Sequence, residues 1–239
     1  FTREMALLLQ EKLDECEKNI SVRCVMISGA GKAFSAGQDL SEVTDPNGRG
    51  MEKILSESYN PIVTKIRNVN KPVLAAVNGV AAGAGANIAL CCDIVIASEN
   101  ASFIQAFSKI GLIPDSSGTY FLPRLIGFQK ASAIMMLGDK ISAVDAENTG
   151  MIYKTFSTQT FFAEAEKMAI TLSKLPTKAL AFTKHALNNH LNKVWNSNWK
   201  QKIFCNRKPL PQTISKKVWP HLPKREKPIL KEIKIIFVK

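Results

Sequence analysis

The sequence predicts an α/β fold in which buried strands alternate with helices. Three short apolar runs, at residues 22–28, 73–77 and 94–97, are bounded by Gly, Pro, Asn or Asp, which is typical of buried strands. Between and after these runs, apolar residues recur at helical spacing. Strands that alternate with helices along a chain are typical of α/β architecture.

The first half of the chain divides into predicted elements in a clear order. A helix is predicted over residues 1–18, where apolar residues recur at helical spacing and Thr2 stands at the N-cap position. Another helix is predicted over residues 56–68, and Pro72 breaks the pattern after it. The stretch 78–85 is rich in glycine and alanine, and it is predicted to be a turn that leads into a further helix.

The second half is predicted to be mainly helical. Its predicted elements are a strand at 101–103, a loop at 111–118 and helices at 131–137, 161–175 and 177–190. Ser142 is predicted to cap a short helix that ends near Gly150, because a glycine commonly follows a helix end. Beyond about residue 189 the helical pattern fails, since five of the eleven prolines of the chain follow that point.

Length and composition limit the class of protein. With 239 residues, the chain is long enough for one large domain or one domain with a small appendage. A content of 46% hydrophobic and 22% charged residues is typical of a globular protein and excludes a disordered one. No apolar stretch reaches the roughly 18 residues that a membrane span needs. No signal peptide is recognised within this sequence. A cytoplasmic location is expected from the cysteines, which are interpreted as reduced thiols.

The cysteines do not suggest a disulfide framework or a zinc site. The chain has 5 of them, an odd number, and none is spaced as in a CxxC motif. We therefore expect reduced and mostly buried thiols.

The net charge of +12 comes entirely from the end of the chain. Residues 1–183 balance 18 basic against 18 acidic residues, whereas residues 184–239 carry 14 basic residues, 2 acidic residues and all three tryptophans. We predict a core over residues 1–189 and an atypical basic tail over residues 190–239. A shifted reading frame is one interpretation of the tail. A genuine tail that binds nucleic acid or an anionic surface is the other, although no nucleic-acid motif is present.

Three segments contain residues that suggest chemistry. Residues 33–40 read AFSAGQDL, residues 78–87 read NGVAAGAGAN, and residues 111–118 read GLIPDSSG. In the second segment, small residues let a ligand approach the backbone, and the unpaired N–H groups of a helix start favour negative charge. Tight packing of a helix on a strand is the alternative interpretation. A dinucleotide fingerprint is excluded, because Ile88 stands where a third small residue belongs.

Together, these segments resemble the enoyl-CoA hydratase/isomerase, or crotonase, superfamily. The resemblance runs from Phe1 to about His185 and includes the later segment LGDKISAVDAENTGMI. It implies a crotonase-type (ClpP/crotonase) fold, which is a spiral of strand–strand–helix units with a C-terminal helical region. Members of the family have further strands before the first helix seen here, so the N-terminal end is expected to be incomplete.

The resemblance also implies a binding site for an acyl-CoA thioester. The backbone N–H groups of Gln38 and Ala84 are expected to bind the thioester oxygen. The substrate-binding residues that it implies are Ala36, Gln38, Asp39, Leu40, Gly83 and Ala84. Of these, Ala36, Asp39 and Leu40 are expected along the path of the adenine and pantetheine groups.

Asp115 stands where isomerases of this superfamily have a catalytic acid. A single carboxylate can remove a proton from one carbon and return it to another. Neighbouring apolar residues would raise the pKa of such a carboxyl. An ordinary turn is the alternative interpretation of residues 114–118. Hydratases of the superfamily use two glutamates, and the corresponding positions here are Asn87 and Phe107, neither of which can act as a general base.

The sequence therefore predicts an acyl-CoA isomerase. The expected reaction converts the ring 1,2-epoxide of phenylacetyl-CoA to its oxepin form, in phenylacetate catabolism. A Δ3,Δ2-enoyl-CoA isomerase of fatty-acid oxidation is the alternative, and a hydratase would need an unrecognised carboxylate pair. A non-catalytic binding protein that uses the basic tail is an alternative of another class.

The expected partners follow from that reaction. No metal and no redox cofactor is expected, because coenzyme A arrives as part of the substrate. The resemblance implies a homotrimer or hexamer, provided that the C-terminal region folds. Neither a membrane nor a nucleic acid is expected as a partner.

Overall fold

The computed structural model describes residues 1–45, 47–190 and 233–238. The strands are β1 (Cys24–Gly29), β2 (Ala33–Ser35), β3 (Val73–Val77), β4 (Val80–Ala82), β5 (Ile94–Ser98), β6 (Ser102–Ile104), β7 (Lys140–Ser142), β8 (Lys154–Phe156) and β9 (Ile233–Val238). The helices are α1 (Arg3–Lys18), α2 (Leu40–Thr44), α3 (Gly50–Ile54), α4 (Asn60–Asn68), α5 (Ala84–Leu90), α6 (Gly118–Ile126), α7 (Phe128–Leu137), α8 (Ala143–Asn148), α9 (Phe161–Lys174) and α10 (Thr177–His190). A π-helical turn, Leu55–Tyr59, precedes α4, and a 3₁₀ helix, Ala106–Ile110, follows β6.

These strands form two sheets. The first has the order β8-β5-β3-β1-β9, and all of its neighbouring strands are parallel. The second has the order β2-β4-β6-β7, in which the β6–β7 pair is antiparallel. Strands β1, β3 and β5 of the first sheet are each followed by a short strand of the second sheet and then by helical structure. The predicted strand–strand–helix units are therefore present.

Strand β3 shows why the buried strands read as continuous apolar runs. All five of its residues are buried. Leu74 packs in a cluster with Phe161 and Ala165 of α9, which covers one face of the first sheet. Val73 and Ala75 belong to the larger cluster that includes α1 and α4 on the other face. Successive side chains of a strand point to opposite faces, so a sheet covered on both sides needs apolar residues at every position.

Two predicted helix caps are confirmed. Thr2 is the N-cap of α1, and its hydroxyl accepts a hydrogen bond from the Met5 backbone N–H at 3.4 Å. Ser142 is the N-cap of α8, and its hydroxyl accepts from the Asp145 N–H at 3.0 Å. Each side chain satisfies a backbone donor that has no partner within its own helix.

Near the site described below, one sequence interpretation was wrong, and one predicted helix differs in its first turn. The predicted turn at 78–85 contains the strand β4, which pairs with β2 and β6. Alanine and glycine are depleted in strands, so pairing with neighbours decides this conformation against local propensity. The predicted helix at 56–68 begins with the π-helical turn Leu55–Tyr59 and becomes an α-helix only at Asn60.

A buried ion pair joins α10 to the core. The Lys184 ammonium lies 2.8 Å from a carboxylate oxygen of Asp93, and the two side chains are 4% and 17% exposed. Lys184 also donates to the backbone oxygens of Ile66 at 2.6 Å and Lys71 at 3.2 Å. Arg67 contacts the other carboxylate oxygen of Asp93 at 3.0 Å. The side chain of Lys184 thus ties α10 to the end of α4 and to the residues between β3 and β5.

Most of the predicted basic tail, residues 190–239, lies outside the described residues. The exception is β9, which pairs in parallel with β1 and places Ile236 in the buried core. A strand at this position was not predicted. The hypothesis of a shifted reading frame stays a prediction.

The described cysteines, Cys16, Cys24, Cys91 and Cys92, are buried, reduced thiols, as the sequence predicted. Burial raises the pKa of the Cys24 thiol to about 12, so this thiol stays neutral. Cys205 lies outside the described residues. Within the described ranges, no helix is long and apolar enough to cross a membrane.

Candidate active site

A cavity of about 160 Å³ lies where the ends of several short elements meet. Its lining comes from the loop between β2 and α2, the turn between β4 and α5, the 3₁₀ helix and the loop before α6. The apolar part of the wall is formed by Val43, Met51, Ala106, Phe107, Ile110 and Leu112. Five residues predicted for the site also line it, namely Ala36, Gln38, Gly83, Ala84 and Asp115.

Two other predicted residues are not part of this lining. Asp39 is the N-cap of α2, and its carboxylate accepts hydrogen bonds from the Ser41 backbone N–H at 2.9 Å and the Ser41 hydroxyl at 2.7 Å. These bonds lower the pKa of the Asp39 carboxyl. Leu40 is the first residue of α2. Both therefore lie where the loop between β2 and α2 joins α2, and the Asp39 side chain caps that helix.

Two glycines allow the loops that line the cavity to approach each other. Gly37 has φ +90°, and a Cβ atom there would lie 2.9 Å from the Ala82 carbonyl oxygen. Gly83 has φ +52° and ψ −127°, a conformation that residues with a side chain rarely adopt. Because of these two positions, the backbone after β2 runs directly beside the backbone that enters α5.

This approach brings two unpaired backbone donors to one cavity. Gln38 follows Gly37, and Ala84 follows Gly83 as the first residue of α5. In the described part of the chain, neither the Gln38 N–H nor the Ala84 N–H donates a hydrogen bond. By contrast, the Gly83 N–H donates to the Ile104 carbonyl oxygen at 2.8 Å. A pair of free N–H groups at one cavity can bind an oxygen atom that gains negative charge.

Hydrogen bonds to its backbone carbonyl oxygen hold Asp115 in the cavity wall. Its carbonyl oxygen accepts hydrogen bonds from the Asn87 amide at 2.9 Å and from the Gly118 N–H at 2.8 Å. The two residues that follow, Ser116 and Ser117, have φ values of 48° and 63°. Positive φ is uncommon in residues other than glycine, so this turn is strained and the surrounding contacts must hold it.

The carboxyl of Asp115 has a perturbed pKa. Burial raises this pKa, because a charged carboxylate loses solvation next to an apolar wall. The Ser116 hydroxyl donates to a carboxylate oxygen at 2.9 Å and acts in the opposite direction. In the described part of the chain, Asp115 supplies the only carboxylate of the cavity lining.

Comparison with known proteins decides the family. A family model described as enoyl-CoA hydratase/isomerase matches residues 1–218. The chain belongs to the enoyl-CoA hydratase/isomerase family. The match also extends past residue 189, into the segment that the composition sets apart.

Individual members of the enoyl-CoA hydratase/isomerase family resemble most of this chain. The 1,2-epoxyphenylacetyl-CoA isomerase of Escherichia coli (strain K12) is 43% identical over 192 residues, which cover 79% of this chain and 73% of that protein. The probable enoyl-CoA hydratase of Rhodobacter capsulatus is 41% identical over 170 residues, covering 71% of this chain and 66% of that protein. The solved structure of an enoyl-CoA hydratase from Polaromonas sp. JS666 has a TM-score of 0.80 at 32% identity, with 88% of this chain and 83% of that chain covered. The predicted crotonase-type fold is confirmed.

Asn87 and Phe107, which stand at the positions predicted to correspond to the two glutamates of hydratases, make structural contacts here. Asn87 is 1% exposed, and besides donating to Asp115 it accepts a hydrogen bond from the Gln105 amide at 2.7 Å. Phe107 is 5% exposed and lies against Gly83, where its ring closes one side of the cavity. In this member of the enoyl-CoA hydratase/isomerase family, one position supports the Asp115 loop and the other forms an apolar wall.

Sequence reasoning missed Tyr59. Its hydroxyl donates to the side-chain oxygen of Gln38 at 2.6 Å, and the residue is 1% exposed. The sequence shows Tyr59 as one aromatic residue in a helical pattern, with no motif around it. A buried tyrosine needs a partner for its hydroxyl, but only the folded chain identifies Gln38 as that partner.

Proposed function

We propose that this chain catalyses the isomerisation of an acyl-CoA thioester at the cavity that Asp115 lines. One observation carries the proposal: among the described residues, a single, partly buried carboxylate and two unpaired backbone N–H groups share one apolar cavity. An isomerisation that moves a proton needs one acid/base group and a means of stabilising charge on the thioester oxygen.

In this mechanism the thioester oxygen lies between the Gln38 and Ala84 N–H groups. Removal of a proton from the carbon next to the thioester puts negative charge on that oxygen. Preorganised donors stabilise such charge by about 2.7–4 kcal/mol each. Because the donors are backbone groups, the side chains of Gln38 and Ala84 do not take part in this step directly.

Asp115 would move the proton. Its carboxylate takes the proton from one carbon of the substrate and, as a carboxylic acid, returns it to another, so substrate and product have the same composition. Hydration would require a second group to hold and activate water. Asn87 and Phe107 occupy the positions from which hydratases of the family supply glutamates, and this supports isomerisation over hydration.

The size and polarity of the cavity support a small, apolar acyl group. An apolar cavity of about 150 Å³ can accommodate a benzene molecule, so a space of about 160 Å³ suits one six-membered ring. We infer that the substrate is the ring 1,2-epoxide of phenylacetyl-CoA, as the name of the Escherichia coli relative suggests. A Δ3,Δ2-enoyl-CoA is the second candidate, because its isomerisation needs the same single acid/base group.

The rest of the substrate would enter past the loop between β2 and α2. We propose that Ala36, Asp39 and Leu40 lie along the path of the pantetheine and adenine groups. Coenzyme A then belongs to the substrate, and the proposed reaction needs neither a metal nor a redox cofactor. Exposed apolar side chains on α7, including Phe128, Met136 and Leu137, support assembly into a homotrimer or hexamer.

This proposal is tested by measuring the isomerisation of two substrates and by checking that a third, a 2-enoyl-CoA, is not hydrated. We expect the protein to convert a 3-enoyl-CoA to the conjugated 2-enoyl-CoA, measured by ultraviolet absorbance, and to convert the aromatic epoxide to the oxepin, measured by chromatography. We expect no hydration of a 2-enoyl-CoA. Rapid hydration, or no isomerisation of either substrate by a folded sample that sediments as an oligomer, would contradict the assignment.

Ser116→Ala is expected to move the acid limb of the pH–rate profile to higher pH. The Ser116 hydroxyl stabilises the ionised form of Asp115, so its loss raises the pKa of that carboxyl further. In this variant Asp115 therefore becomes protonated, and can no longer act as a base, at a higher pH than in the wild type. Profiles of kcat/KM against pH check this result, with the exposed Ser108→Ala as the matched control. Coincident acid limbs in the wild type and Ser116→Ala would count against Asp115 as the base.

A further inference from the structure

The side chain of Gln38 is held at both atoms of its amide group. Its oxygen accepts the hydrogen bond from the Tyr59 hydroxyl at 2.6 Å. Its nitrogen donates to the Glu42 carboxylate at 3.1 Å and to the Asp39 carbonyl oxygen at 3.2 Å. An ion pair with Arg49 at 3.3 Å holds Glu42 in turn. The side chain of Gln38 therefore has little freedom, although it belongs to a loop.

Among the residues that contact the Gln38 side chain, Tyr59 is anchored in the hydrophobic core. It is 1% exposed and belongs to the buried cluster that contains α1 and α4. Tyr59 also ends the π-helical turn Leu55–Tyr59. Such turns insert an extra residue into a helix, and they occur frequently at functional sites because they change the direction of a side chain. Here the turn precedes α4 directly, and the Tyr59 hydroxyl reaches the loop that lines the cavity.

The Tyr59 hydroxyl remains a donor at all working pH values. Burial raises its pKa above the ordinary value of a tyrosine, and the negative charges of Asp115 and Glu42 raise it further. A neutral phenol can donate to the amide oxygen of Gln38, whereas a phenolate could not. Ionisation of Tyr59 therefore does not break this hydrogen bond near neutral pH.

We propose that Tyr59 is a positioning residue, which holds the Gln38 backbone N–H toward the cavity by fixing the Gln38 side chain. The inference rests on the proposed function, in which that N–H binds the thioester oxygen. Gly37 precedes Gln38 with a φ of +90°, and its carbonyl oxygen accepts a hydrogen bond from the Phe1 ammonium at 2.6 Å. That bond holds one side of the Gly37–Gln38 peptide, and the bonds to the Gln38 side chain hold the other side. Tyr59 thus contributes to the orientation of the Gln38 N–H without contacting the substrate.

Tyr59→Phe is expected to lower kcat by about 10- to 100-fold, because a small displacement of an aligned group has effects of this size. The KM is expected to change much less, since the donor matters most when charge develops on the oxygen. Phenylalanine keeps the buried ring, so the variant should fold. The exposed Tyr153→Phe is the matched control and is expected to behave like the wild type.

A double-mutant cycle with Gln38→Ala tests whether Tyr59 acts through Gln38. Gln38→Ala keeps the backbone N–H but removes the side chain that Tyr59 holds. We expect this variant to lose a similar factor in kcat, and we expect the double variant to be no worse than either single variant. The proposal would be overturned if the loss of kcat in the double variant equalled the product of the two single losses. It would also be overturned if folded Tyr59→Phe kept the wild-type kcat.

Hydrogen exchange decides the proposal independently of catalysis. If the wild type isomerises neither substrate, the proposed function fails, but the effect of Tyr59 on the loop can still be measured. We expect amide exchange over residues 36–40 to be faster in Tyr59→Phe than in the wild type and in Tyr153→Phe. Identical exchange in all three proteins would overturn the positioning role, whatever the activity of the wild type.

Discussion

Asp115→Asn is expected to lower kcat for isomerisation by about 10²- to 10⁴-fold, the usual contribution of a positioned acid/base group. Asparagine has nearly the shape of aspartate, but it cannot take up a proton from the substrate. The backbone carbonyl of residue 115 would keep its hydrogen bonds from Asn87 and Gly118, so the loop should retain its conformation. The loss would then report chemistry rather than structure.

The same substitution is expected to stabilise the fold at neutral pH. Burial raises the pKa of Asp115 in the folded state, so the folded protein binds this proton more tightly than the unfolded chain does. The contribution of this proton to stability is fully present below the pKa that the Asp115 carboxyl has in the unfolded chain. It is lost as the pH rises through the pKa of the same carboxyl in the folded state. At neutral pH the ionised carboxylate therefore opposes folding, and a neutral amide removes that opposition.

Activity and thermal unfolding, measured on the same samples, check both effects. Asp139→Asn is the matched control, because that residue is exposed and lies outside the cavity lining. We expect the control to keep the wild-type kcat and midpoint of unfolding. A fall in kcat together with a fall in stability for Asp115→Asn would indicate a structural role for this residue and contradict the proposed one.

Lys184→Met is expected to reduce the free energy of unfolding by about 1–3 kcal/mol, because buried backbone oxygens that Lys184 satisfies would be left without a donor. Asp93 would keep its contact with Arg67, while the backbone oxygens of Ile66 and Lys71 would lose their donor. Methionine preserves much of the volume of the lysine stem, so the change mainly removes the charge and its hydrogen bonds.

Urea unfolding of Lys184→Met and of Lys167→Met measures this difference. Lys167 is 74% exposed and pairs with Glu164 on the surface of α9, where an ion pair contributes less than about 1 kcal/mol. The two variants therefore remove the same side chain from a buried and an exposed ion pair. Equal midpoints for both variants would show that α10 is not held to the core by Lys184.

Local sequence patterns predicted the helices and strands whose conformation follows from neighbouring residues, such as a capping residue or an apolar run. Thr2 caps α1 because its hydroxyl is the right type of group immediately before an apolar helical pattern. Residues 73–77 form a strand because an apolar run of that length must be buried on both faces. In contrast, β4 was missed, since Val80–Ala82 becomes a strand only by pairing with β2 and β6.

The candidate site was predictable to the extent that it depends on short motifs. The motifs named Gln38, Ala84 and Asp115, and the fold brings all three to one cavity. Their roles stay predictions until activity is measured. The contact between Tyr59 and Gln38 joins residues 21 positions apart in sequence through a π-helical turn, and no local pattern specifies it. Asp39 was expected along the substrate path, but its side chain caps α2.

The hydrogen bond from Asn87 to the Asp115 carbonyl has a consequence for how this family diversifies. A glutamate at position 87 would present only acceptors to that carbonyl oxygen, and it would place a charge in a site that is 1% exposed. One substitution at this position would therefore remove one of the two hydrogen bonds that hold the Asp115 carbonyl. A glutamate at position 87 is therefore expected to require a compensating change in the Asp115 loop. Such mutual dependence between positions, or epistasis, would make the order of the substitutions matter.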